Sequence, residues 1–260
     1  MSGKRTVVKV GTSTLTYDNG KINYRRVEKL CKVLSDLQNS GEEILLVSSG
    51  AIGVGMGKTG LSERPSENRK KQALAAIGQC ELMFMYDKLF GEYNHSVAQL
   101  LLTRYEVETE EKRSNVINTI DELIKMSIIP IINENDTVAI DELEGNKIGD
   151  NDMLSAIVSG LVRADRLIIL TDIDGLYDDD PHTNPNAQRI SYVEKITEAM
   201  IDAAGAPGSK LGTGGMATKI SAMKKVMEHG INGVIAHGST PQILEQILDQ
   251  ENIGTFFAAM

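Results

Sequence analysis

Only two cysteines occur among the 260 residues, Cys31 and Cys80, and they form no CxxC pair. That excludes a disulfide framework and a thiolate zinc site, and both thiols are expected to be buried as small apolar side chains. Basic residues are in deficit: 27 Lys and Arg face 36 Asp and Glu, a formal net charge of -9. A nucleic-acid or anionic-membrane surface needs clustered Lys and Arg to offset phosphate charge, so neither partner fits. No uninterrupted apolar run is long enough for a bilayer, and Met1-Ser2-Gly3-Lys4-Arg5 leads into a strand pattern without an apolar signal core. A cytoplasmic location is expected. Internal repeats and low-complexity tracts are lacking too.

What is present is an alternation of β-branched apolar runs with helical periodicity, the pattern of parallel strands covered by helices on both faces. Strands are expected at Thr6 to Val10, Glu43 to Val47, Ser96 to Leu101, Ile128 to Ile132, Leu167 to Leu170, Gly233 to Ala236 and Thr255 to Ala258. Helices are expected at Tyr24 to Asn39 with Asn23 as N-cap, Glu67 to Phe90, Ser114 to Met126, Asn151 to Val162, Met216 to Glu228 and Pro241 to Leu248. Between Asp136 and Gly149, a hairpin turning at Glu144-Gly145-Asn146 would form a flap. The class is α/β, as a single domain or two tightly joined lobes.

In an open doubly wound sheet, ligands gather beyond the carboxyl ends of the strands. Here those ends read Lys9-Val10-Gly11-Thr12-Ser13, Ser48-Ser49-Gly50-Ala51, Asn133-Glu134-Asn135-Asp136 and Thr171-Asp172-Ile173-Asp174-Gly175. Each alone also suits a helix cap or a turn; four together point to a ligand site. Gly149-Asp150-Asn151-Asp152 opens a helix, where acids both cap and complement the dipole. Gly212-Thr213-Gly214-Gly215-Met216-Ala217-Thr218-Lys219 opens another, presenting unpaired backbone N–H groups and a lysine to an anion such as phosphate. Two motifs fail. Gly55 to Gly60 satisfies GxGxxG but lies well past its strand, and Gly57-Lys58-Thr59 lacks the earlier glycine of a phosphate-binding P-loop, where Ile52 stands. The acidic turn from Asp172 to Asp180 lacks the alternating ligands and closing glutamate of a calcium loop.

By order and spacing, these segments resemble the amino acid kinase family from first strand to last. The resemblance implies a three-layer αβα sandwich on a mainly parallel open sheet. It implies an N-terminal lobe over roughly residues 1–165 for the acceptor and a C-terminal lobe over 166–260 for ATP. Within the family the motifs are most similar to those of members that phosphorylate the γ-carboxylate of L-glutamate, the first step of proline synthesis, with ATP and Mg2+. The same resemblance implies Lys9, Lys219 and Asp152 as catalytic residues and Ser49, Gly50, Asp136, Asp150 and Asn151 as the glutamate site. It implies Lys9, Gly11, Thr171, Asp172, Thr213, Gly214, Gly215, Met216, Ala217, Thr218 and Lys219 around ATP, with no residue set apart as a metal ligand. Proline as feedback inhibitor, a downstream glutamyl phosphate reductase, and a dimeric or tetrameric assembly are further implications. The chain matches the kinase domain without a C-terminal PUA domain. Kinases of aspartate, N-acetylglutamate, carbamate or UMP are the close alternatives; an oxidoreductase using Gly55 to Gly60 is a remoter one. No histidine falls in these motifs, which leaves His95, His182, His229 and His237 as surface or packing residues.

Overall fold

The structure is a computed structural model describing residues 4–17, 19–139, 150–179, 181, 183–205 and 215–260. Its first half runs β1 (Arg5–Val10), α1 (Thr12–Leu15), α2 (Tyr24–Asn39), β2 (Glu43–Ser48), α3 (Ala51–Thr59), α4 (Asn68–Gly91), β3 (Val97–Leu102), α5 (Arg104–Glu108), α6 (Glu110–Lys125) and β4 (Ile129–Glu134). The second runs α7 (Asn151–Leu161), β5 (Arg166–Thr171), β6 (Leu176–Tyr177), β7 (Arg189–Ile190), β8 (Tyr192–Val193), α8 (Glu198–Gly205), α9 (Met216–Glu228), β9 (Asn232–His237), α10 (Ile243–Leu248) and β10 (Thr255–Phe257).

Among the described residues, eight strands form one sheet in the order β3-β4-β2-β1-β5-β9-β10-β8, parallel except where β10 meets β9, and β6 pairs antiparallel with β7 as a separate ribbon. The strand order reverses at β1, flanked by β2 with Lys9 opposite Val47 and by β5 with Lys9 opposite Ile169. Such a reversal leaves a crevice at the carboxyl ends of the neighbouring strands. The ends of β4, β2, β1 and β5 stand side by side there, which brings together four of the motifs read from the sequence.

The αβα sandwich is the expected one, and its layers follow from alternation along the strands. Val8 and Val10 face a core shared with Leu30, Leu34, Leu82, Tyr86 and Phe90, contributed by α2 and α4. Val7 faces the other core, with Leu154, Val158, Met223 and Val226 from α7 and α9. Lys9, two residues after Val7, therefore points into the α7–α9 layer. Asn23 caps α2 as expected, accepting from the Arg26 amide.

Several elements differ from expectation. β4 continues through Glu134, so Asn133 and Glu134 lie in a fully buried strand rather than a loop. Gly55 and Gly57 of the GxGxxG match lie in α3, a helix not anticipated, and Gly60 is its left-handed C-cap. The first two allow close backbone contact: a Cβ on Gly55 would stand 2.1 Å from the Leu74 carbonyl oxygen of α4, and one on Gly57 2.5 Å from that of Gly20. Close backbone packing against α4 and the Gly20 turn accounts for Gly55 and Gly57, and the helix C-cap for Gly60. α6 begins at Glu110 rather than Ser114, and Thr103 caps the preceding α5 through a capping box with Glu106. Cys31 is buried as expected, and burial pushes its thiol pKa up, which makes it inert. Cys80 is exposed, contrary to expectation, because it lies on the face of α4 turned away from the sheet. The anticipated flap falls mostly on residues 140–149, outside the described residues, as do His182, Thr213 and Gly214. Among the described residues, no helix is long and apolar enough to cross a membrane.

Candidate active site

Lys9, Asp152 and Lys219 come from three elements and meet at one carboxylate. Lys9 Nζ lies 2.7 Å from Asp152 Oδ1, and Lys219 Nζ lies 3.2 Å from Asp152 Oδ2. Asp152 reaches the sheet because it shares the buried face of α7 with Ser155, Ala156 and Ser159, at spacings of three and four. Lys219 begins the buried stripe of α9 that continues through Ala222, Met223 and Val226. All three are nearly inaccessible, with 7%, 1% and 6% of their surface exposed for Lys9, Asp152 and Lys219.

Burial alone would push the Asp152 carboxyl pKa up, yet the two neighbouring ammonium groups outweigh it and hold the pKa below the usual carboxylate range. Asp152 therefore stays ionised at neutral pH and is a weaker base than an ordinary carboxylate. Two cations and one anion leave this cluster with one net positive charge in a site shielded from water, a fitting place for a phosphate. Thr218 Oγ1 lies 3.0 Å from Asp152 Oδ2 and 2.9 Å from the Gly215 carbonyl oxygen, tying the first turn of α9 to the cluster. Gly215 is the N-cap of α9, with no side-chain cap, and half-buried Met216 and Ala217 follow it. Gly11 adjoins the Lys9 ammonium: a Cβ there would stand 3.8 Å from Nζ.

A second cluster starts one residue earlier on α7. Asn151 Nδ2 donates to Ser49 Oγ at 2.8 Å and to Asn133 Oδ1 at 3.0 Å. Asn133 Nδ2 in turn donates to Gln79 Oε1 at 2.8 Å. Asp150 caps α7, its Oδ1 accepting from the Met153 amide at 2.9 Å. Asp150 Oδ2 and Asn151 Oδ1 are buried with no hydrogen-bond partner among the described residues. Both are acceptors, so a donor such as an ammonium suits them. Gly50, at φ +101°, turns the chain from β2 into α3 beside Ser49.

The structure thus joins Lys9, Asp152, Thr218 and Lys219 in one group and Ser49 and Asn151 in another, linked by the Asn151–Asp152 peptide. Thr171, buried at the end of β5, hydrogen-bonds Asp172 Oδ1 at 2.9 Å, and exposed Asp172 lies on the rim. Half-buried Asp136 follows β4, in the turn that leads out of the strand. Neither Thr171 nor Asp172 contacts either group directly in the hydrogen bonds described. Asn133 and Gln79 were missed as site residues. Asn133 was read as part of a loop; Gln79 carried a signal in its position, a polar residue among Ala75, Leu82 and Tyr86 on the buried stripe of α4. Among the described residues, no group of three His, Cys, Asp or Glu could hold a metal ion.

Comparison with known proteins bears on this geometry. The amino acid kinase family matches residues 4–237. The chain is 56% identical over 257 residues to a glutamate 5-kinase of Clostridium perfringens, covering 98% of this chain and 96% of that protein. It is 52% identical over 259 residues to a glutamate 5-kinase of Listeria monocytogenes serotype 4b, covering 99% of this chain and 94% of that one. Among solved structures, a carbamate kinase from Giardia lamblia bound to AMP-PNP shares the fold, with a TM-score of 0.71 over 100% of both chains at 16% identity.

Proposed function

The chain belongs to the amino acid kinase family, and from that premise we propose that it transfers the γ-phosphoryl group of ATP to the γ-carboxylate of L-glutamate, forming L-glutamyl 5-phosphate for proline synthesis. The observation that carries the chemistry is the buried cluster of two lysines on one aspartate. Glutamate is favoured over other acceptors by relatives at 52–56% identity across nearly the whole chain. The orphaned acceptors of Asp150 and Asn151 agree with that choice, because free glutamate brings an ammonium and an N-acylated acceptor does not.

A carboxylate with an ordinary pKa of about 4.3 is ionised at neutral pH and attacks phosphorus without a general base. The obstacle is repulsion between an anionic nucleophile and an anionic phosphate, together with charge on the transferred oxygens. Lys9 and Lys219 oppose both. A unit charge about 4 Å from another contributes roughly 4 kcal/mol at an effective dielectric of about 20, more than distant, screened carboxylates can take away. Asp152 keeps the two ammonium groups together without accepting a proton. Magnesium enters as part of the MgATP substrate, on the phosphate oxygens.

In this reading the residues preceding β5 hold glutamate, with Ser49, Gly50, Asp136, Asp150 and Asn151 around it. The remainder holds ATP, with Gly11, Thr171, Asp172 and the start of α9 around it. Lys9 stands between the two. Incubation with glutamate, MgATP and hydroxylamine tests this reading. Equal yields of ADP and γ-glutamyl hydroxamate are expected, with little ADP when aspartate, N-acetylglutamate, carbamate or UMP replaces glutamate. Faster turnover with any of those acceptors would reassign the substrate.

A further inference from the structure

Building on the glutamate kinase reading, we propose that Gln79 is a positioning residue for the amino acid substrate, acting through Asn133 to hold the Asn151 amide with its carbonyl oxygen turned to the substrate's ammonium. Gln79 touches neither reactant in this account. It lies on α4 with 9% of its surface exposed, on a buried face it shares with Leu74, Ala75, Leu82 and Tyr86. A buried amide is costly unless hydrogen-bonded, so its partner matters. That partner is Asn133 Nδ2, at 2.8 Å.

The orientation of each amide follows from the next. Asn133, 1% exposed, accepts at Oδ1 from the Glu134 backbone amide at 2.9 Å and from Asn151 Nδ2 at 3.0 Å. Its own Nδ2 must then donate elsewhere, and Gln79 Oε1 receives that hydrogen bond. Asn151 spends both Nδ2 hydrogens on Ser49 and Asn133, which leaves Oδ1 buried and without a partner among the described residues. Because Ser49 Oγ accepts from Asn151, its hydroxyl hydrogen remains to donate to a carboxylate. Removing the Gln79 acceptor leaves Asn133 Nδ2 buried and unsatisfied. Asn133, Asn151 and Ser49 form one hydrogen-bonded chain, so an amide that turns to satisfy that nitrogen disturbs the Asn151 and Ser49 atoms held ready for substrate. The disturbance therefore reaches glutamate binding, while the lysine cluster, anchored by Asp152, is left in place.

The test is steady-state kinetics on the intact protein. Gln79→Met keeps side-chain length and removes the acceptor; it is expected to raise the glutamate KM about tenfold, with the ATP KM and the kcat at saturating glutamate within about threefold of wild type. Gln79→Glu restores an acceptor for Asn133 Nδ2 and is expected to bring the glutamate KM back to within about threefold. Should Gln79→Met not fold, Gln79→Asn, which draws the amide back by one methylene, carries the same expectation. An unchanged glutamate KM in folded Gln79→Met or Gln79→Asn overturns the proposal. So does a parallel loss in both KM values and kcat that Gln79→Glu fails to repair, the mark of a packing residue. A wild-type protein that makes no glutamate-dependent ADP overturns the functional reading and this role with it; normal wild-type turnover with unaffected variants overturns this role alone.

Discussion

Asp152 is the residue on which the site turns, since its two carboxylate oxygens each hold one of the lysines. Replacing Lys219 with alanine removes one preorganised donor to the migrating phosphoryl group and is expected to lower kcat by about 10²-fold. Turnover near that of wild type would take Lys219 out of the chemistry. Asp136→Ala is expected to raise the glutamate KM by about tenfold or more while sparing the ATP KM. A rise in the ATP KM instead would reverse the assignment of the two substrates. Asp152 also links stability to pH. Its pKa is lowered in the fold, so its contribution is fully present above the ordinary carboxylate pKa of about 3.9 and is lost as pH falls through the lower folded-state value. Asp152→Asn, which strands two buried ammonium groups, is expected to cost about 3 kcal/mol in urea unfolding at pH 7. The gap from wild type should narrow in strongly acidic solution, and a constant gap down to such pH would show that ionisation of Asp152 does not hold the cluster.

At the scale of elements, helix approach sets where the site residues stand. α3 and α4 pack backbone to backbone, and a Cβ on Gly78 would stand 1.8 Å from the Ala51 carbonyl oxygen. Gly78→Ala must push the helices apart beside Gln79 and is expected to lower Tm by about 5 °C, read by calorimetry. Gly91→Ala, at the end of the same helix with open space around it, should leave Tm unchanged or raise it slightly. Equal effects from the two would remove close approach as the reason for Gly78. Much of this level was legible from the sequence. α2 and α9 begin and end where periodicity and capping place them, and Lys9, Ser49, Asn151 and Asp152 stand at the strand and helix ends where motif order put them. Less legible was whatever depends on partners distant in sequence. Nothing local tells that β4 carries Asn133 into the core, that Gln79 lies across from it, or that the glycines of α3 meet α4. Cys80 was misjudged for the same reason: which face of a long, evenly apolar helix turns to the sheet is decided by its neighbours.

For the molecule as a whole, the sheet order and the net charge pull in opposite directions on an anionic ligand, and the sheet order prevails. A chain of net charge -9 repels ATP at long range. The reversal at β1, however, sets Lys9 below the α7–α9 layer, where Asp152 and Lys219 join it out of water. The global field is screened over about 8 Å at physiological salt, whereas the buried cluster is screened much less. The most direct test is a crystal structure of the protein with a non-hydrolysable ATP analogue, Mg2+ and glutamate. The Lys9 and Lys219 ammonium groups are expected about 3 Å from oxygens of the transferring phosphate, with the glutamate γ-carboxylate in line on its far side. Both ammonium groups remaining on Asp152, with the triphosphate bound beyond their reach, would contradict the account.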